Sequence, residues 1–483
     1  MSLGERVKDL SRLVFHLGTN KISLAGAVLT TGSAFTMIWF WVMEVMRPHP
    51  VNPYAGILLF LLLPGVFVAG LALIPLGMWL RRRKLSKAGE LPSEYPQVDL
   101  ATPSVRNAMI VLLAATGLNI VLLGNASIKG VEYMDSNQFC GLTCHTVMAP
   151  EYTAFLGSAH SRVGCAQCHI GPGAGWFVKS KLSGTRQLFA VAFKTYQRPI
   201  PSPVEHLRPA RETCEQCHWP QKFHGDKLLV RTKYAEDEAN TATSTVLLLK
   251  IGGITWQGKT GIHGRHLDTD ARISYIATDG RRQNIAKVTY RDDDGKMVEF
   301  VTDDYKKIPQ DQLAKAESRA MDCVDCHNRP THAFEMPDRA MDKAMMEGRI
   351  ARDLPFIKKN GMEALKRAYA TREEGQAQIA QTLAAFYQTK YPDLYRDKKA
   401  RIDDSIKTIQ AIYLRNIFPE MKITWGTHPN HIGHEESAGC FRCHDGSHSA
   451  ADGRSISADC TTCHTILAQD EKDPKILKDL SPQ

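Results

Sequence analysis

All twelve cysteines of this chain fall in six short motifs, and each motif closes on a histidine. The motifs are Cys140-x-x-x-Cys144-His145, Cys165-x-x-Cys168-His169, Cys214-x-x-Cys217-His218, Cys323-x-x-Cys326-His327, Cys440-x-x-Cys443-His444 and Cys460-x-x-Cys463-His464. In five of them two residues separate the thiols, which is the spacing for c-type haem attachment. The thiols form thioethers to the two vinyl groups, and the adjacent histidine reaches the iron as proximal ligand. Structural zinc, a disulfide framework and a thioredoxin-like redox pair also use paired cysteines. None of these requires a histidine directly after the second cysteine. Porphyrin then replaces much of an ordinary apolar core, so short helices and loops with little sheet are expected around the motifs.

The first motif departs from the pattern, because Gly141, Leu142 and Thr143 separate its cysteines. A glycine in the spacer permits a tighter or bulged loop, so both thiols can still meet one porphyrin. A disulfide or a free thiol pair beside five haems is the alternative.

Apolar residues crowd the first quarter of the chain in three runs, Ile22–Met46, Tyr54–Leu80 and Asn107–Gly124. Each is near or above the roughly 18 to 20 residues that cross a bilayer as a helix. The third is the shortest, and its Thr116, Gly117 and Asn119 suit a helix packed on neighbours in lipid. Arg6, Lys8, Arg12 and Lys21 precede the first run, and Arg81, Arg82, Arg83, Lys84 and Lys87 follow the second. The positive-inside rule puts both clusters in the cytoplasm. Everything beyond about residue 125 then lies outside the inner membrane, in the periplasm, where c-type haems are attached. The first run is too long for a signal-peptide core and reads as an uncleaved anchor. None of the three runs contains a histidine, so they are expected to anchor the chain and carry no b-type haem. The net charge of +9 is modest, and nothing in the sequence is a nucleic-acid signature.

Five regions follow from this reading: a membrane anchor at 1–128, a domain for haems 1 to 3 at 129–226, and a β-rich insertion at 227–307. Haem 4 and a helical spacer occupy 308–420, and a di-haem segment closes the chain at 421–483. Strands are expected at Ile273–Thr278, Val288–Arg291 and Met297–Val301, set around Asp-Gly turns. Helical spacing of Ala, Lys, Glu, Met and Leu marks Pro309–Ala320 and Pro337–Ile417. The expected fold class is mainly α, a multihaem cytochrome c with three N-terminal transmembrane helices and a small β insertion.

Ten histidines outside the motifs and the anchor remain as possible distal ligands: His160, His206, His224, His263, His266, His332, His428, His431, His434 and His448. Bis-histidine ligation closes both axial positions and favours electron transfer over substrate chemistry. The candidates nearest a motif are His160, His224, His332, His434 and His448. Met148, three residues after His145, is the candidate at the first haem, where a thioether raises the potential. A gap-filling methionine is the other reading.

The runs Phe139–Tyr152, Ser158–His169 and Trp176–Lys181 resemble the NapC/NirT/NrfH family of membrane-anchored multihaem cytochromes, which oxidise quinol and pass electrons to periplasmic partners. The fuller layout, with Cys-His-Asn-Arg-Pro-Thr-His at Cys326–His332 and a C-terminal haem couple, is similar to the family's larger inner-membrane homologues from metal-respiring bacteria. Small members have one span and four haems, whereas three and six are expected here. In those members a methionine after the first motif ligates haem 1, which favours Met148. Their quinol pocket uses a lysine after the second motif, matched by Lys179 or Lys181, and a carboxylate a few residues on. Here Gln187 stands nearest that position, and no Asp or Glu occurs from Ile170 through Val204.

The resemblance implies a quinol dehydrogenase fed from the menaquinone pool. Menaquinol would be oxidised near haem 1, and electrons passed through six c-type haems to soluble periplasmic multihaem cytochromes or a periplasmic reductase. Lys179 or Lys181 would hold the quinol oxygen, with Glu151 or Glu44 as proton acceptor. An ionisable residue near the end of a membrane span, as Glu44 is, is a functional candidate, and an interfacial charge beside Trp39 and Trp41 is the alternative. Trp176–Tyr196 has the composition of an interfacial helix, or of a plain haem-packing one. Two other functions stay open: a membrane-bound carrier fed by a separate quinol oxidase, and a nitrite- or hydroxylamine-type reductase. The Cys-x-x-Cys-Lys motif often found in such reductases is absent.

Overall fold

The computed structural model describes residues 16–46, 62–91, 101–143, 145–204, 207–256, 258–268, 273–292, 294–309 and 316–480. The chain divides into two compact units, Met1–His145 and Thr146–Gln483.

Among its described residues the first unit has three long helices, α1 (Lys21–Met46), α2 (Leu63–Ala88) and α3 (Pro103–Met134). Small residues let α1 and α2 pack as a tight pair. A Cβ on Gly26 would lie 2.7 Å from the Gly70 carbonyl oxygen, and one on Gly77 would lie 2.6 Å from the Ser23 nitrogen. The Ser23 hydroxyl donates across the crossing to the Ile74 carbonyl at 2.8 Å. Close backbone approach and interhelical hydrogen bonds replace the hydrophobic drive that lipid cannot supply. Away from this seam the helices turn apolar side chains outward, with Leu24, Phe35, Val68 and Leu76 exposed. Among the described residues two helices are long and apolar enough to cross a membrane, Lys21–Phe40 within α1 and Leu63–Ala88. The apolar run Asn107–Gly124 lies inside α3 and is not one of those two. Leu122 and Ala126 bury themselves beside Ala34, Met37 and Phe67, while Gly117 and Gly124 have open space around them. The packing face of α3 is therefore the 122/126 stripe one turn apart, and not the small-residue stretch at 116–119.

Only a short turn separates α3 from the first motif. Phe139–Thr143 forms a π-helical turn with Gly141 buried, and the Cys140 nitrogen donates to the Ser136 carbonyl at 3.1 Å. A π-turn is wider than an α-turn by one residue, and this one runs through the three-residue spacer Gly141–Thr143. The Tyr133 and Phe139 rings meet edge to face at 5.4 Å across the junction.

The second unit combines motif-bearing turns, two main sheets and a helical module. Antiparallel strands β1 (Lys227–Tyr234) and β2 (Ala242–Leu249) form a hairpin, followed by the small hairpin of β3 (Gly253–Thr255) and β4 (Gly258–Thr260). Strands β5 (Ser274–Ala277), β6 (Ile285–Arg291) and β7 (Met297–Val301) then pair in order, and β8 (Arg319–Ala320) adds to the β5 edge. Alternating burial of Tyr275, Val288, Val298 and Phe300 gives this sheet its apolar face. Pro309–Ala320, expected to be helical, ends in β8, and residues 310–315 lie outside the described residues. Short helices and loops with little sheet are expected around the motifs. Instead β9 (His464–Glu471) pairs antiparallel with β2 and completes a three-stranded sheet. Val246 and Ala468 are both buried in register there, so an unfilled strand edge outweighs the local preference of the segment.

The helical module contains α6 (Pro337–Met346), α7 (Ile357–Lys366), α8 (Arg372–Lys390) and α9 (Lys399–Asn416). Its core holds Met341, Met345, Leu354, Ile379, Leu383 and Ile409, each fully buried. On α9 the buried positions 402, 405, 406, 409, 412, 413 and 416 trace one helical face. Thr371 caps α8, accepting from the Glu374 nitrogen at 3.1 Å while the Glu374 carboxylate accepts from the Ala370 nitrogen at 2.8 Å. This module forms a conventional apolar core and contains no cysteine motif.

Candidate haem sites

Each described cysteine motif is folded as a single helical turn that fixes the direction of its thiols and imidazole. The His218 and His327 nitrogens donate back to Cys214 and Cys323 at 2.8 Å, and His444 to Cys440 at 3.0 Å. Local caps stop these turns unwinding. Asp322 accepts from the Cys323 nitrogen at 2.7 Å, Asp325 returns a bond from the Asp322 nitrogen at 2.7 Å, and Asp459 accepts from the Thr461 nitrogen at 2.8 Å.

The eleven described cysteines form no disulfides. Burial raises the pKa of Cys168 and Cys463, and pushes Cys326 to about 11 and Cys443 to about 12. A redox-active cysteine pair needs a depressed pKa, which these four thiols lack, while the Cys214 thiol, beside Cys323, is lowered. Among the described residues no three His, Cys, Asp or Glu side chains cluster as a metal-ion site.

The motif histidines do not stand alone. Five of them face a second imidazole at nearly constant separation: His169 and His332 at 6.2 Å, His218 and His160 at 5.9 Å, His327 and His263 at 6.4 Å, His444 and His266 at 6.0 Å, and His464 and His434 at 6.3 Å. Two imidazoles on opposite sides of one metal, each with a nitrogen about 2 Å from it, hold their ring centres about 6 Å apart. The residues present therefore fit an iron porphyrin slotted between each pair, with the two cysteines of the turn alongside. Several rings are aimed by their far nitrogen. Nδ1 of His332, His266 and His444 meets the carbonyls of Glu151, Ile262 and Ser457 at 2.9, 2.8 and 2.8 Å, which leaves Nε2 to point at the partner ring. Burial lowers the pKa of His169, His263, His266 and His327, favouring the neutral form that ligates metal.

Neighbouring motifs touch in chain order. The Cys168 thiol lies near those of Cys214 and Cys217, and the Cys214 thiol lies beside that of Cys323. Cys326 in turn interacts with Cys440, and Cys463 with Cys440. The second to sixth motifs thus form a continuous file.

Of the distal candidates chosen by proximity to a motif, His160, His332 and His434 face a proximal histidine and two do not. His224 is exposed, with Nδ1 at 2.8 Å from the Lys222 carbonyl. His448 is fully buried, but Nε2 meets the Ile285 carbonyl at 3.0 Å and Nδ1 approaches Asp445 at 3.4 Å. Both ring nitrogens are thus turned to protein oxygens. The corresponding places belong to His263 and His266, which sit far from any motif in sequence. They share the helical turn Gly261–His266 after β4, and the i, i+3 spacing puts both on one face. Tight backbone crossings hold that turn. Gly261 takes φ +63° and Gly252 φ +58°, and a Cβ on Gly252 would lie 1.9 Å from the Thr260 carbonyl oxygen. The His-x-x-His spacing behind a glycine-rich hairpin is the available sequence signal.

His428 and His431 are also buried. His431 is bonded at Nδ1 to the Asp325 carbonyl, 3.1 Å, and at Nε2 to Gln283, 2.7 Å. His428 Nε2 has no protein hydrogen-bond partner, and burial pushes the ring's pKa down to about 4. His206, Cys144 and the side chains of His145 and Glu44 lie outside the described residues. Met148 sits within α4 (His145–Leu156).

Among the quinol-site candidates, Glu151 receives Arg329 Nη2 on both carboxylate oxygens, at 2.8 and 2.9 Å. Lys179 and Lys181 lie on α5 (Ala174–Ala192), with Nζ over the Trp176 ring at 4.5 Å and over the Phe177 ring at 4.9 Å. Gln187 donates to the Ser183 hydroxyl at 3.2 Å. The same helix exposes Val178, Leu182 and Phe189, and Phe193 just beyond its end.

The profile of the NapC/NirT cytochrome c family, N-terminal region, matches residues 102–200. The cytochrome c-type protein ImcH of Geobacter sulfurreducens is 43% identical over 452 residues, which cover 93% of this chain and 88% of that protein. No solved structure matches the chain.

Proposed function

The chain belongs to the NapC/NirT cytochrome c family, and on that premise we propose that it oxidises menaquinol at the inner membrane and relays the electrons to a periplasmic acceptor. The observation that carries this reading is the continuous file of motifs, with five facing-imidazole pairs along it. Six c-type haems, one per motif, would supply one-electron redox chemistry, and a histidine pair closing both axial sites favours electron transfer over substrate binding. His169/His332, His218/His160, His327/His263, His444/His266 and His464/His434 are the proposed ligand pairs, with His145 and Met148 at the first motif. Five closed sites argue against a small-substrate reductase.

Three membrane crossings are proposed, α3 being the third, with the motifs on the periplasmic side. Menaquinol gives up two electrons and two protons as it becomes menaquinone. Being lipid-confined, it meets the chain nearest the bilayer, and α3 ends only a short turn before Cys140. Lys179 or Lys181, steadied over Trp176 and Phe177, would hold a quinol oxygen. The outward apolar face of α5 suits the lipid interface. Glu151 or Glu44 would accept the proton, and Glu151 is engaged by Arg329. That engagement, with the lack of any carboxylate from 170 to 204, favours a second reading in which a separate quinol oxidase feeds this chain.

Anaerobic mixing of the purified protein with a menaquinol analogue separates the two. Direct oxidation gives rapid haem reduction. Losing one charge-assisted hydrogen bond, worth about 1.5 to 3 kcal/mol, slows it roughly tenfold to a hundredfold in Lys179→Ala or Lys181→Ala. Full reduction by dithionite with none by quinol would establish the carrier reading instead.

A further inference from the structure

Glu151 and Arg329 form a half-hidden ion pair beside the second motif, with side chains 18% and 7% exposed. Three contacts tie the pair to one imidazole. The His332 Nδ1 lies 2.9 Å from the Glu151 carbonyl and 3.3 Å from its carboxylate, and Arg329 Nε donates to the His332 carbonyl at 2.6 Å. Arg329 is itself pinned, with Nη1 donating to the Ser202 hydroxyl at 3.3 Å and the guanidinium 5.1 Å over the Phe334 ring. His332 in turn faces His169.

We propose that the Glu151–Arg329 pair is a positioning device that orients His332 and sets the reduction potential at the second motif. The inference rests on the His169/His332 pairing proposed above. A carboxylate close to the far nitrogen of an axial imidazole, beside the carbonyl that accepts its proton, makes it a stronger donor, and nearby negative charge favours the more positive, oxidised iron. The guanidinium pulls the other way. The two charges hold the site between extremes, and the residue that fixes the ring's direction also tunes its electronics.

The test is a spectroscopic redox titration of the full-length protein, following the α-band, with Glu151→Gln, Arg329→Gln, Arg329→Lys and His332→Ala. Glu151→Gln moves one haem component upward and Arg329→Gln moves one downward. In each case the reduced-to-oxidised ratio at fixed poise changes by about tenfold, equivalent to about 59 mV for one electron. Arg329→Lys, which keeps the charge, stays near the parent. A purely structural salt bridge would shift both glutamine variants the same way or convert a haem to high spin, and either result overturns the proposal. If His332→Ala produces one high-spin haem while the glutamine variants leave every potential fixed, the ligand pairing stands and this inference fails. If His332→Ala leaves all haems low-spin, the pairing itself is wrong.

Discussion

His263 and His266 give the sharpest test of geometry against sequence proximity, because proximity selected His224 and His448 in their place. Replacing His266 with alanine removes the imidazole facing His444 and leaves the other four described pairs untouched. The haem at the fifth motif then has one protein ligand, so about one-sixth of the low-spin absorbance, one motif in six, converts to a high-spin or ligand-exchangeable form. Stability changes little, since the ring's bond to the Ile262 carbonyl contributes about 1 kcal/mol. His448→Ala gives the opposite profile. It opens a cavity and orphans the Ile285 carbonyl, costing about 2 to 4 kcal/mol, and leaves the spectrum unchanged. His224→Ala, at an exposed site, alters stability by no more than about 0.5 kcal/mol and also leaves the spectrum alone. The assay is absorbance and paramagnetic resonance of the oxidised proteins beside thermal unfolding. A fully low-spin His266→Ala protein, with the one-sixth loss in His448→Ala, would refute the reasoning.

Two further outcomes follow from the first unit. Denatured-protein haem quantitation gives six haems per chain and falls to five in a Cys140→Ser, Cys144→Ser double variant; five in the parent would show that the π-turn motif is not used. A reporter fused after Gln483 is active only on the periplasmic side, and activity confined to the cytoplasm would overturn the positive-inside argument.

The motifs stand out in the sequence by residue type and spacing, and helical spacing in 337–417 announces the module around Met341 and Leu383. The facing imidazoles from distant segments do not stand out. His263 owes its position to a glycine crossing between β3 and β4, a tertiary fact with only a faint local trace. His448 shows the converse, since a histidine beside a motif can be consumed by a carbonyl that only folding brings near. Glu151 looked like an available base for the same reason, because nothing local marks Arg329 as its partner. Strand β9 was invisible because its pairing partner, β2, lies more than two hundred residues earlier.

That last pairing has a consequence for how the protein is made. Strand β2 emerges long before β9, and until then one side of it presents unpaired backbone groups, the kind of edge that recruits foreign strands. Closure waits for a segment whose first residue, His464, belongs to the final attachment motif. Completion of the sheet therefore waits for the C-terminal end of the chain. A chain truncated before residue 464 keeps the open edge. Long-range closure of this kind is slow, so the sheet is completed at the end of the polypeptide rather than along it.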